Sequence, residues 1–254
     1  MPLIHCNFFS QALGKASALY AVVPQSATPC PVVYLLHGLS DDYSIWQRRT
    51  GIERFADTLK IAVVMLDGGK SFYSDMASGD KYEQHILESI QTAETILRIG
   101  GKRSLRGIGG LSMGGYGAVK LAMKHPDLFV SAHSHSGVLD PACFYRGKTL
   151  KEIRADWVGG AMIPAFGDKV PAQEDTMKLA AIFAKIKGPK PALHLDCGSE
   201  DFLIEDNRAF HARLEKLGVK HLYTEHSGAH DWGYWDQHVQ TALRWHLSIF
   251  AGKS

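Results

Sequence analysis

Cysteine is scarce in this 254-residue chain: Cys6, Cys30, Cys143 and Cys197 stand far apart, with no C-x-x-C pair. Such spacing argues against a disulfide framework or a zinc site. Charge of one sign is equally lacking. Lys and Arg number 28 against 26 Asp and Glu, a formal net charge of +2, and no basic cluster is interleaved with aromatics. Neither nucleic acid nor a membrane surface is therefore expected as a partner held by charge. The longest apolar run, near Ile61 to Leu66, is far too short to span a bilayer. The start, Met1-Pro2-Leu3-Ile4-His5-Cys6, has neither the basic residues nor the apolar stretch of a secretory signal. Reduced thiols in a cytoplasmic protein are the expectation.

What is present is 45% hydrophobic sequence, enough to bury a sizeable core in one α/β domain over 1–254. Leu3 to Phe9 and Ala16 to Val23 read as an antiparallel pair at a sheet edge. Pro31 to Leu36 and Ile61 to Leu66 are continuous apolar runs, the pattern of strands buried on both faces. Ile52 to Leu59 between them has a helical pattern, and Ile86, Ile90, Ala93 and Leu97 recur at the spacing of an amphipathic helix. Leu105 to Leu111 follows as a strand and Met113 to Lys124 as a helix. Leu128 to Ala132, Pro191 to Cys197 and Val219 to Glu225 are the next strands, and Trp232 to Phe250 is the closing helix. Strands alternating with helices predict a mostly parallel sheet covered on both faces, the α/β-hydrolase arrangement once the motifs below are added. The stretch 140–178, with scattered Gly, Pro and aromatics, reads as an insertion over the sheet's edge.

Gly110-Leu111-Ser112-Met113-Gly114 fits G-x-S-x-G between a strand and a helix. At such a turn the serine is held in a strained conformation with its hydroxyl above the sheet, and side chains two residues away on either side would collide. Gly107-Ile-Gly109-Gly110 does not make a dinucleotide loop, because Ser112 occupies the last required glycine position. A nucleophilic serine needs a base. Of 13 histidines, His230 lies in the loop Ser227-Gly-Ala-His230-Asp-Trp-Gly between the last strand and the last helix, where this fold gathers its catalytic groups; His226 is the reserve. The acid that orients the base should follow the strand ending at Cys197, and position alone leaves Glu200 and Asp201 both open. Backbone amides of Met113 and of Leu39, in the loop after Leu36, are the expected oxyanion donors, with His37 shaping that loop.

The segments Leu35-Leu-His-Gly-Leu-Ser40 with Trp46, Gly110 to Gly117, Phe166-Gly-Asp168, Cys197-Gly-Ser-Glu-Asp-Phe-Leu203 and His230-Asp-Trp-Gly-Tyr-Trp235 cover most of the chain in order. In them the sequence resembles the esterase D family, which includes tributyrin-type esterases, S-formylglutathione hydrolases and the mycolyltransferase antigens. The resemblance implies Ser112, Asp201 and His230 as the triad and the amides of Leu39 and Met113 as the oxyanion hole. It looks closest to the tributyrin-type branch, partly through Ser71-Phe-Tyr-Ser-Asp75.

Two further groupings bear on chemistry. His133 and His135 would share a strand face as a metal pair might, but no third ligand falls at suitable spacing, so packed polar residues are the expectation. Tyr43, Trp46, Tyr73, Trp232 and Trp235 fall in or beside loops on the presumed active-site side, and one or two of them, with Trp46, Tyr73 and Trp232 foremost, are candidates to wall the substrate pocket. The expected activity is hydrolysis of short-chain acyl esters through a covalent acyl-enzyme, with a small-molecule ester as partner and no cofactor. Acyl transfer to an alcohol or sugar, an S-formylglutathione hydrolase-like thioesterase and a non-catalytic binding module are the alternatives.

Overall fold

The computed structural model describes residues 1–25 and 29–252. Two hydrogen-bonded strands, β1 (Leu3–Ser10) and β2 (Lys15–Val22), open the chain. Then come β3 (Val32–Leu36), the short helix α1 (Ile45–Arg49), α2 (Ile52–Leu59), β4 (Ala62–Leu66) and α3 (Tyr82–Leu97). The middle is β5 (Arg106–Leu111), α4 (Met113–Lys124) and β6 (Ser131–His135). Helices α5 (Leu150–Ala155), α6 (Trp157–Phe166) and α7 (Thr176–Ala184) lead to β7 (Ala192–Gly198), α8 (Ile204–Lys216), β8 (Leu222–His226) and α9 (Trp232–Phe250). Among the described residues the strands form one sheet in the order β1-β2-β4-β3-β5-β6-β7-β8, antiparallel through β1, β2 and β4 and parallel from β4 onward. This is the α/β-hydrolase fold.

Strand residues alternate between two cores because successive side chains leave opposite faces. Val32, Tyr34, Leu36, Val64 and Ile108 pack beneath α3 and α4, with Ile86, Ile90 and Val119. Val33, Leu35, Val63 and Met65 face Ile52, Ala56, Val239 and Leu243 of α2 and α9. The chain leaves β3 for β4 on one side and returns to β5 on the other. The carboxyl ends of β3 and β5 therefore flank the switch point where such sheets open a crevice.

Two strands sit further along the chain than hydropathy suggests. β6 begins at Ser131, not Leu128, because Leu128 is held in a turn by its amide bond to the His125 carbonyl. β8 begins at Leu222 because the Val219 amide instead closes α8, on the Leu214 carbonyl. The 140–178 stretch lies against α4 at the middle of the sheet, where sequence had placed it over an edge. Apolar packing and a buried ion pair hold it there: Met162, Ala165 and Phe166 join the core, with Phe166 against Phe72 and Tyr116. Lys120 on α4 is fully buried, and its Nζ donates to Glu174 Oε2 at 2.8 Å, to the Tyr73 carbonyl at 2.6 Å and to Ser74 Oγ at 2.8 Å, with Glu83 Oε2 at 3.2 Å. Buried charge persists only when paired and hydrogen-bonded, so Glu174 is drawn to this spot. No helix among the described residues is long and apolar enough to cross a membrane.

Candidate active site

Ser112 stands between β5 and α4 at φ 53° and ψ −118°, a conformation that costs about 1–3 kcal/mol for a residue with a side chain. Close packing imposes it. A Cβ on Gly110 would lie 2.6 Å from the Gly114 backbone, and one on Gly114 would run into the Leu36 carbonyl. The Ser112 amide is anchored on the His135 carbonyl at 2.9 Å, leaving the side chain free above the sheet.

His230 follows β8 and immediately precedes Asp231, whose carboxylate accepts from the Tyr234 amide at 3.0 Å and caps α9. That cap fixes where the loop turns into helix. The imidazole lies between the rings of Phe202 and Trp235, with centroids 4.6 and 4.9 Å away. Asp201 is buried in the turn after β7, and its Oδ1 also accepts from the Leu203 amide at 2.8 Å. Its two oxygens lie 3.0 and 2.8 Å from His230 Nδ1. With the carboxylate accepting, Nδ1 carries the proton, and Nε2 is left to accept from Ser112 Oγ at 3.0 Å. The structure thus brings Ser112, His230 and Asp201 into one hydrogen-bonded chain. His226 instead stacks on His238 at 4.4 Å, and Glu200 binds the Gly228 amide and the Ser199 hydroxyl.

Beside Ser112 opens a cavity of about 390 Å³, lined by Leu39, Asp41, Phe72, Met113, Val138 and Trp232 among others. Leu39 and Met113 both line it, and the backbone amide of neither meets an acceptor among the described residues. The Leu39 loop is tied down from behind. His37 Nδ1 donates to the Gly38 carbonyl at 2.7 Å, and Tyr73 Oη donates to the His37 carbonyl at 2.8 Å. The Gly68 amide donates to His37 Nε2 at 2.9 Å, so the proton sits on Nδ1; Asp67 Oδ1, 3.3 Å from the same Nε2, is the weaker contact.

Of the aromatic candidates for the pocket, Trp232 and Trp235 line it, and Tyr43, Trp46 and Tyr73 do not. Trp46 and Tyr73 are fully buried, and each spends its polar atom on loop backbone: Trp46 Nε1 donates to the Leu36 carbonyl at 3.1 Å, as Tyr73 does to His37. They support the wall without being part of it. Trp157 and Val158 of α6, together with Phe202, Asp41 and Val138, also line it. Sequence reasoning did not single these out, although Phe202 directly follows Asp201, and Asp41 follows Leu39 by two residues.

His133 and His135 do not share a ligand site. His133 Nδ1 pairs with His246 Nε2 at 2.7 Å, and His135 Nδ1 with Asp196 at 2.7 Å. Among the described residues no three His, Cys, Asp or Glu side chains are grouped to hold a metal ion.

Residues 10–246 match the family described as Putative esterase. An acetyl esterase of Caldicellulosiruptor saccharolyticus is 28% identical over 262 residues, covering 96% of this chain and 98% of that protein. Among solved structures, the fluorophosphonate-binding serine hydrolase F of Staphylococcus aureus superposes with a TM-score of 0.87 at 30% identity, covering 97% of this chain and 98% of that one. An S-formylglutathione hydrolase of the same organism gives a TM-score of 0.85 at 30% identity, with coverage of 97% and 98%. A serine between a strand and a helix, a histidine within reach of it and a match running nearly end to end agree: the chain belongs to this esterase family and is a carboxylic ester hydrolase.

Proposed function

We propose that the protein is a cytoplasmic serine esterase that hydrolyses short-chain acyl esters, with Ser112, His230 and Asp201 as its catalytic triad. The observation that carries this reading is the unbroken hydrogen-bonded chain from Asp201 through His230 to the strained Ser112. As Ser112 Oγ attacks the ester carbonyl, its proton passes to His230 Nε2. Asp201 holds the tautomer that makes this possible and stabilises the imidazolium. Negative charge then appears on the carbonyl oxygen, where the unpartnered amides of Leu39 and Met113 receive it. Each such donor is worth roughly 3–4 kcal/mol of barrier. Collapse of the tetrahedral adduct expels the alcohol, protonated by His230, and leaves an acyl group on Ser112. Water gives a proton to His230, attacks the acyl carbon, and releases the acid as the proton returns to Ser112.

The cavity, at the small end of the range for ligand sites, supports short acyl groups. The four cysteines are free thiols, which fits a reducing compartment. Fluorophosphonate treatment followed by mass spectrometry should place the adduct on Ser112, and Ser112→Ala should remain folded and lose nearly all hydrolysis of 4-nitrophenyl acetate. An adduct on another serine would falsify the assignment. The likeness to an S-formylglutathione hydrolase supports a second reading, a thioesterase. Comparing kcat/KM for S-formylglutathione with that for acetyl esters separates the two. Product analysis in the presence of excess glycerol separates hydrolysis from acyl transfer.

A further inference from the structure

The cavity wall is mostly apolar, with Leu39, Phe72, Leu111, Val138 and Val158, but beside the oxyanion loop it carries the carboxylate of Asp41. Asp41 Oδ2 lies 3.2 Å from the position a Cβ would take on Gly38, and that same position is 3.9 Å from Ser112 Cβ. The carboxylate therefore stands about one side chain away from the nucleophile. It is half-buried, and burial pushes its pKa up, with the charge of Asp42 adding to this; Arg49 and Arg48, acting at a distance, oppose it. Its amide binds the Gly38 carbonyl, but no donor among the described residues reaches its side chain. Other sequestered carboxylates of this molecule are treated differently. Glu83, Glu174, Asp196 and Asp201 each accept hydrogen bonds from side chains or backbone. A half-buried acceptor with no partner, facing a substrate cavity, is placed to take its partner from the ligand.

We infer that Asp41 determines specificity here: its carboxylate accepts hydrogen bonds from hydroxyls on the alcohol half of the ester and repels an anionic alcohol half, so the substrates are acyl esters of neutral polyols. The inference rests on the proposed role of Ser112 as the nucleophile of an ester hydrolase. Chemistry decides which half of the ester goes where. A short acyl chain matches Phe72 and Val138, whereas a hydroxylated alcohol placed against those residues would lose its hydrogen bonds to water without replacement. Against Asp41 the same hydroxyls find a charged acceptor, among the stronger hydrogen bonds available to a ligand. Glutathione, with two carboxylates, meets like charge at this point.

The test keeps the acyl group constant as acetyl and varies the alcohol: propyl acetate, glycerol monoacetate and acetoxyacetate, which are respectively neutral, neutral with hydroxyls, and anionic. Taking each variant relative to the unaltered protein cancels the intrinsic reactivity of the esters. Asp41→Ala should lower kcat/KM for glycerol monoacetate about tenfold or more relative to propyl acetate, the scale of one hydrogen bond to a charged group. Asp41→Asn, which keeps an acceptor and removes the charge, should raise acetoxyacetate relative to propyl acetate and retain much of the glycerol preference. Unchanged ratios among the three esters in both variants would overturn the inference. Fluorophosphonate labelling of the unaltered protein keeps the two readings apart: Ser112 labelled with flat ratios defeats only the role of Asp41, whereas failure to label Ser112 defeats the catalytic reading on which it rests.

Discussion

His37 Nδ1 and the Gly38 carbonyl, 2.7 Å apart, fix a peptide plane whose other polar group is the Leu39 N–H. In a trans peptide the two groups point in opposite directions, so holding the carbonyl back against His37 aims the amide at the cavity. His37 is thus a positioning residue for the proposed oxyanion hole. His37→Phe should lower kcat for 4-nitrophenyl acetate by about 10–100-fold, less than outright loss of a donor, with little change in KM. Fluorophosphonate labelling of Ser112 should slow in parallel, because phosphonylation loads the same amides. A raised KM with normal kcat would place His37 in binding instead.

His230→Ala should match Ser112→Ala within about tenfold, because triad members act as a unit and their losses do not add. His226→Ala should be far milder, since that ring stacks on His238. Asp201→Asn should retain the fold and cost orders of magnitude in turnover through the wrong imidazole tautomer. Glu200→Gln is its control. Exchange of phenotypes within either pair would refute the corresponding assignment.

Acyl length should be rewarded only briefly. Each added methylene offers about 0.8 kcal/mol if the pocket buries it. With Phe72, Val138 and Val158 walling a cavity of about 390 Å³, kcat/KM should peak between acetate and butyrate and fall by octanoate. Palmitate as the best 4-nitrophenyl ester would contradict this and leave the triad untouched.

Acid should destabilise the fold before the carboxylates titrate. Burial and neighbouring imidazoles hold His133 and His246 well below their ordinary value of 6.5, and burial takes His194 down to about 4. A base whose folded pKa is depressed binds its proton more readily in the unfolded chain. Stability is therefore complete above about pH 6.5 and is lost as pH falls towards the folded values, by up to about 1.4 kcal/mol per pH unit for each histidine. Thermal unfolding between about pH 8 and pH 5 measures this directly: Tm should be flat at the alkaline end and drop below about pH 6.5. His246→Asn should make that drop shallower, and an equally steep drop in the variant would acquit the histidines.

Legibility in the sequence followed locality. The turn at Ser112 could be read because its requirement for glycine on both sides is imposed within five residues. The long helices α4 and α9 carry their limits in their own pattern. β6 could not be placed by hydropathy, because its Ser-Ala-His-Ser-His run is polar yet wholly buried. Its partners, His246 and Asp196, lie 113 and 61 residues away from His133 and His135. β8 is an edge strand, only partly buried, and so shows little apolar signal to read. The cavity wall was illegible for a further reason. An aromatic residue such as Trp46 has the same composition signature whether it touches substrate or, as here, braces a loop from behind.

Lys120 has a consequence for how this scaffold can be recombined. Its buried ammonium is neutralised by Glu174 from the 140–178 stretch and by Glu83 from α3. A chimera that imports this stretch from a relative without an acid at the matching point would leave Lys120 and Lys124 sharing Glu83 alone, and breaking a buried pair costs about 3–5 kcal/mol. Residue 120 has to travel with the insertion. Loop grafting in this protein is therefore an exchange of two segments, one over the site and one on the helix that follows the nucleophile.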